Sequence, residues 1–286
     1  MSMRYYRSVW ISDAHLCTRD SQSAVLHDFL DSIRCDYLYL VGDMIDVWAL
    51  RRRWYWPDQY NEVVHKLLKR SRKGAKVCYI PGNHDDFFRQ FAGYHFGQVE
   101  IVNQAIHVTA DGRRFLVTHG DEFDTVVRHH EWLSHLGSWA YQYLIGVNRI
   151  VNLVRRWFGK PYWSFSGAIK RKVKQTVRYV NKFEELLVAE AKRLGVDGVI
   201  CGHIHQAALR EAQGILYCNT GDWIESCTAL VEHEDGSLEL LRWHEERAEQ
   251  AAEPASAVAA LALPASVGPA GPAALGTPPT TEALPA

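Results

Sequence analysis

Short apolar runs of strand length alternate with amphipathic stretches from the start of the chain to about residue 245. Ser8 to Ile11, Tyr37 to Val41, Val77 to Ile80, Phe115 to Thr118 and Gly198 to Cys201 hold four or five residues each. They are rich in β-branched, aromatic or leucine side chains and bounded by polar residues or glycine, which predicts buried strands. Gln98 to Thr109, Gly214 to Asn219, Cys227 to Val231 and Leu238 to Trp243 predict further strands. Between them, Val25, Leu26, Phe29, Leu30 and Ile33 recur at helical spacing over Ser23 to Ile33. Val63, Val64, Leu67 and Leu68 do the same over Tyr60 to Arg72, with all four expected on the inner face. Strand and helix in alternation predict an α/β domain.

Each of five apolar runs ends in side chains that bind metal or carry protons. The first runs into Ser12-Asp13-Ala14-His15, the second into Gly42-Asp43-Met44-Ile45-Asp46, the third into Pro81-Gly82-Asn83-His84-Asp85. The fourth reaches Thr118-His119-Gly120-Asp121 and the fifth Gly202-His203-Ile204-His205. In a β-like path residues i and i+2 share a side, so Asp13 and His15 can meet one ion. Taken singly, Asp13 also suits a helix N-cap and the Asn83 stretch a turn beside a paired Asp. Five strand ends in one chain point instead to a metal centre. Asp13, His15, Asp43, Asn83, His119, His203 and His205 are too many ligands for one tetrahedral ion and suit two ions sharing a carboxylate. Oxygen and imidazole donors without thiolate favour Mn, Fe or Zn over Ca or Cu(I).

This ordered set of blocks, spread over residues 13–205, resembles the calcineurin-like metallophosphoesterases. The resemblance implies a four-layer sandwich, two β-sheets packed face to face with helices outside. It assigns one divalent ion to Asp13, His15, Asp43 and His205 and another to Asp43, Asn83, His119 and His203, with Asp43 bridging. It implies in-line attack of an activated water on phosphorus, with His84 stabilising charge or protonating the leaving oxygen and Asp85 as the partner of His84. Asp46 is expected to cap the following turn or to support the ligands from behind.

Residues 126–182 add something further. Eleven basic residues, among them Arg155, Arg156, Lys170 and Lys172, stand there against a single acid, Glu131, and are interleaved with ten aromatics. Leu133, Leu136, Tyr143, Leu144, Val147 and Val151 are helically spaced up to a break at Gly159-Lys160-Pro161, so a helical lid inserted over the site is expected. Basic and aromatic side chains together suit an amphiphilic phosphoester substrate or an anionic membrane surface. An ordinary solvated cap and a nucleic-acid groove are the competing readings. Leu136 to Val154 is interrupted by Gln142, Asn148, Arg149 and Asn152, so it should not cross a bilayer, though it could lie on one.

With the block Asp43 to Trp48 and the run Arg51-Arg52-Arg53-Trp54-Tyr55-Trp56, the chain is similar, more narrowly, to the UDP-2,3-diacylglucosamine diphosphatases of lipid A synthesis. That implies a Mn-dependent pyrophosphate hydrolase whose lid takes acyl chains, with Arg51, Arg52, Arg53 and Trp54 beside the site as substrate contacts. Those enzymes carry Arg after the motif Asn, whereas this chain has His84.

The rest of the composition narrows the setting. A net charge of −1 over 286 residues excludes nothing by itself. The first residues carry no signal-peptide pattern, and the six Cys lack paired spacing, so a cytoplasmic protein with reduced thiols is expected, at most peripheral on the inner membrane. Residues 1–247 read as one domain. Residues 248–286 hold seven of the ten prolines and no Lys, Arg or aromatic residue, which predicts a disordered tail.

Overall fold

The computed structural model describes residues 3–126 and 166–248. In chain order the elements are β1 (Arg4–Ile11), α1 (Ser23–Ser32), β2 (Ile33–Val41), α2 (Val47–Arg52), α3 (Asp58–Arg72), β3 (Lys76–Ile80), β4 (His95–Phe96), β5 (Val99–Ile101), β6 (Ala105–Val108) and β7 (Arg114–Val117). Then come α4 (Ser166–Leu194), which begins within the insertion, β8 (Gly198–Cys201), β9 (Ala208–Ala212), β10 (Ile215–Asn219), β11 (Thr228–Glu232) and β12 (Leu238–Arg242). Short 3-10 turns occupy Asp86–Phe91 and Asp121–Val126.

The strands form two mixed sheets, one ordered β12-β11-β1-β2-β3-β5-β4 and the other β6-β7-β8-β10-β9. The central pairings β1–β2, β2–β3, β7–β8 and β8–β10 are parallel, and the outer ones are antiparallel apart from β3–β5. Period-two alternation fixes the layers. On β1, Val9 and Ile11 face a core shared with Leu26, Phe29 and Val63 of α1 and α3, while Trp10 points the other way. Trp10 joins Tyr39, Val41, Phe115, Val117 and Ile200 in a core between the sheets. Leu116, Val199 and Tyr217, one position out of phase, pack on Phe183, Leu187, Val188 and Ala191 of α4. Each of these buried aliphatic or aromatic side chains contributes roughly 1.5–3 kcal/mol, so the central strands are fixed from both faces. The result is the expected four-layer sandwich of two sheets flanked by helices.

Three readings of the sequence need correction. Gln98 to Thr109 is two strands, not one: β5 stays in the first sheet and β6 crosses to the second, with Asn103 and Gln104 exposed at the crossing. Leu68 is 47% exposed, because the buried stripe of α3 runs Tyr60, Val63, Leu67, Ser71 and Leu68 lies off it. The short α2 and the edge strands β4 and β9 were not foreseen. Helix α4 continues past position 182 to Leu194 and carries Lys170 and Lys172. Arg155, Arg156, most of the insertion and the Ala/Pro-rich tail lie outside the described residues. Among those described, no helix is long and apolar enough to cross a membrane.

Candidate metal centre

The carboxyl ends of β1, β2 and β3 from one sheet and of β7 and β8 from the other converge. The sharp turns that follow them aim their side chains inward. Asp13, His15, Asp43, His203 and His205 all adopt positive φ, five of the eight non-glycine residues that do so among those described. Such backbone is sparsely populated for L-residues, and its concentration on one cluster marks a site held under constraint. Glycines supply the room. A Cβ on Gly82 would stand 2.3 Å from Asp43 Oδ1, and one on Gly202 would stand 2.5 Å from Asp13 Oδ2.

The side chains gather into two clusters, Asp13 with His15 and His205, and Asp43 with His119 and His203, and a third group, Asp46 with His84, shares His15 with the first. In the first, His15 Nε2 and His205 Nε2 lie 3.3 Å apart, and Asp13 Oδ1 is 3.1 Å from His205 Nε2. Asp43 Oδ2 lies between the clusters, 3.8 Å from His15 Nε2 and 3.5 Å from His119 Nε2. That is the place of a bridging carboxylate. His119 Nδ1 lies 2.9 Å from Val41 O, a hydrogen bond only an Nδ1–H can make, so Nε2 is the ring nitrogen turned into the site. His119 Nε2 and Asn83 Oδ1 are nevertheless buried without a hydrogen-bond partner. Buried donor atoms left unpaired in this way fit cations as their partners. Burial alone would lower the His119 pKa, but the Asp43 carboxylate holds it up, to about 10. Burial works against the Asp13 charge, yet His205 and His119 keep its carboxyl below the usual range.

The structure redistributes the supporting roles. Asp85, expected to partner His84, is turned away from it. Its oxygens accept from the backbone N–H of Gly82 at 2.6 Å and of Met44 at 2.9 Å, and from Tyr79 Oη, so it staples the Gly82 turn to the Asp43 turn. The partner of His84 is Asp46, whose Oδ2 is 3.0 Å from His84 Nδ1 and 3.4 Å from His15 Nδ1. Asp46 Oδ1 accepts from Ala49 N at 2.6 Å and so caps α2 as well. Burial would lower the His84 pKa, but Asp46 raises it above the ordinary value. Spacing could not tell which of two nearby carboxylates faces the imidazole. Trp48, which the sequence did not single out, lies on His84 with ring centroids 4.3 Å apart.

The other candidates sit at the margin. Arg51 and Arg52 end α2, Arg53 and Trp54 follow it, and all four are exposed, Trp54 by 75%. Asp121 pairs with Arg89 at 2.6 Å, and Asp222 accepts N–H groups of Ile224 and Glu225 within its own turn, so neither joins the cluster.

The chain is 22% identical over 246 residues to a UDP-2,3-diacylglucosamine hydrolase of Haemophilus influenzae, covering 80% of this chain and 95% of that protein. It is 27% identical over 220 residues to one of Aliivibrio fischeri, covering 69% and 81%. Among solved structures it is similar to Yfce, a phosphoesterase from E. coli, at 13% identity and a TM-score of 0.37, covering 82% of this chain and 98% of that one. The sequence profile of the calcineurin-like phosphoesterases matches residues 6–207, which span both clusters. The chain belongs to the calcineurin-like phosphoesterase family and is a phosphoester hydrolase.

Proposed function

We propose that the chain hydrolyses a phosphoester or pyrophosphate bond of an amphiphilic, lipid-linked nucleotide sugar, of the class of UDP-2,3-diacylglucosamine. The relatives' names support this reading, and so does one observation: exposed Arg51, Arg52, Arg53 and Trp54 lie on and just after the helix that Asp46 caps, beside the metal clusters. Guanidinium groups suit the anionic part of such a substrate, and the indole suits its apolar part. Asp13, His15, Asp43 and His205 would hold one ion, and Asp43, Asn83, His119 and His203 the other, with Mn the best match and Fe or Zn alternatives. Two divalent ions there would polarise the phosphoryl oxygens and lower the pKa of the attacking water. His84, with Nδ1 bound to Asp46, presents Nε2 to the leaving oxygen and supplies the proton it needs. Arg155, Arg156, Lys170 and Lys172 add positive charge to the insertion, which suits an anionic substrate or membrane surface.

A panel of substrates offered with Mn tests this. UDP-diacylglucosamine should be cleaved with a far higher kcat/KM than simple nucleotide sugars, phosphodiester dyes or single-stranded DNA. Charge reversal at Arg155, Arg156, Lys170 and Lys172 should raise KM for the diacylated substrate and leave a small dye unchanged. Preference for single-stranded DNA would make the chain a nuclease and overturn the lipid reading.

A further inference from the structure

We infer that a buried hydroxyl clasp, Ser12 with Thr220, positions the two halves of the metal centre, a role that rests on the dimetal reading but not on any substrate. Each ion draws ligands from both sheets: Asp13, His15, Asp43 and Asn83 follow strands of one, and His119, His203 and His205 follow strands of the other. The geometry between the ions therefore depends on how the sheets are registered at their carboxyl ends. There, the Ser12 and Thr220 hydroxyls meet at 2.6 Å, both fully buried, one following β1 and the other β10. One proton lies between them and the other serves a carbonyl, Gly221 O or Cys201 O, each 3.1 Å from its nearer hydroxyl. Asn219, fully buried beside Thr220, donates from Nδ2 to Gly202 O at 2.8 Å and accepts from Gly221 N at 3.0 Å, fixing the turn that delivers His203. Trp223 N donates to Asp13 O at 3.0 Å, and His203 N to Asp13 Oδ2 at the same distance, so the clasp and the ligands form one connected unit.

The turn Thr220-Gly221-Asp222 that follows β10 thus has a use although none of its residues joins the candidate ligands. Ser12 and Thr220 are positioning residues. Thr220→Val keeps the shape but puts a methyl where a 2.6 Å contact stood, and the two loop ends must move apart. Partners behind metal ligands are worth roughly 10–100-fold in affinity.

The test is Mn binding to the full chain, by calorimetric titration and by the electron paramagnetic resonance signature of the coupled pair, alongside thermal unfolding of the metal-free protein. The expected result is at least tenfold weaker Mn binding and an altered coupling signature in Thr220→Val, with both restored in Thr220→Ser. The control is Ser8→Ala, four residues earlier in β1, where Ser8 Oγ donates to Glu232 beneath His107 of the second sheet. It should lower the unfolding midpoint and leave Mn binding intact. Two Mn bound by Thr220→Val with wild-type affinity and signature would overturn the clasp. So would equal loss of Mn binding in Ser8→Ala, or Thr220→Ser behaving like Thr220→Val. Failure of the wild type to take up two ions would instead remove the dimetal reading beneath it.

Discussion

Gly82→Ala isolates how tightly the centre is built, because Gly82 is absent from the positive-φ positions and alanine there adds only volume. The added Cβ would stand 2.3 Å from Asp43 Oδ1 and 2.6 Å from both Cδ2 and Nε2 of His119. Reaching the 3.0–3.4 Å at which real Cβ contacts begin requires a displacement of about 0.7–1.1 Å. Neither neighbour yields easily. Asp43 Oδ1 is held by His84 N at 2.8 Å, and the His119 ring by Val41 O at 2.9 Å. Misplacing reacting groups by ~1 Å costs on the order of 10²-fold in rate, and here the displaced carboxylate is the one proposed to bridge the two ions. Turnover of a phosphodiester dye with Mn should fall by about that factor, with at least one ion lost on desalting. Gly74→Ala is the control: its φ is +99° and a Cβ meets nothing within 4 Å, so backbone strain should cost roughly 1–2 kcal/mol in urea unfolding and leave the rate alone. Two ions and a near-normal rate in Gly82→Ala would refute the steric reasoning.

His84→Ala should cut kcat by roughly 10²–10⁴-fold, as loss of a general acid does, with metal content unchanged; loss of the ions as well would make His84 a ligand. Asp46→Asn should give a milder loss of the same kind, with the alkaline limb of the pH–rate profile moved to lower pH, because Asp46 is what raises the His84 pKa; an unmoved limb would sever that link. Glu232 sits against burial but is hydrogen-bonded by His107, Ser8 and Ala110 N, and its pKa falls below the ordinary 4.5. A group depressed in the folded state stabilises above its unfolded pKa and loses that contribution as pH falls through the folded one, so Glu232→Gln should be less stable at pH 7 and should converge with wild type below pH 4.5; a constant gap down to acid unfolding would contradict this.

The candidate ligands could be read from the sequence because each lies within a few residues of an apolar run, and both signals are local. The apolar runs by themselves predicted an α/β domain, and the four layers came from the family resemblance; the structure shows why the two agree, since Val9, Trp10 and Ile11 alternate between two cores and leave no exposed face. What stayed hidden depends on direction or on distant partners. Asp46 and Asp85 were equally good carboxylates for His84 until the turns placed Asp85 on the N–H groups of Gly82 and Met44. The split between β5 and β6 is set by pairing, as Val102 N binds Tyr79 O where the chain leaves the first sheet. β9, Ala208–Ala212, is an edge strand with no fully buried residue, so alternation gave it no signal. Ser12 and Thr220 are 208 residues apart, and nothing in either neighbourhood announces the other.

Metal-free, the centre carries backbone strain. Five residues at positive φ cost about 1 kcal/mol or more each, while imidazoles and backbone N–H groups hold the buried Asp13 and Asp43 carboxylates. An ion that binds the folded chain and not the unfolded one adds RT ln(1 + [M]/Kd), ~2.7 kcal/mol at a free concentration a hundredfold above Kd. For a domain of this size each kcal/mol moves the unfolding midpoint by roughly 2–4 °C, so each filled site should raise it by about 5–11 °C. Differential scanning fluorimetry with Mn, titrated over the range that activates hydrolysis, should show this rise, and chelation should reverse it. Asp43→Ala, which removes the carboxylate proposed to be shared, should respond little to Mn. If Mn activated hydrolysis without moving the wild-type midpoint, or if Asp43→Ala shifted as far as wild type, the seven side chains would not be what holds the ions.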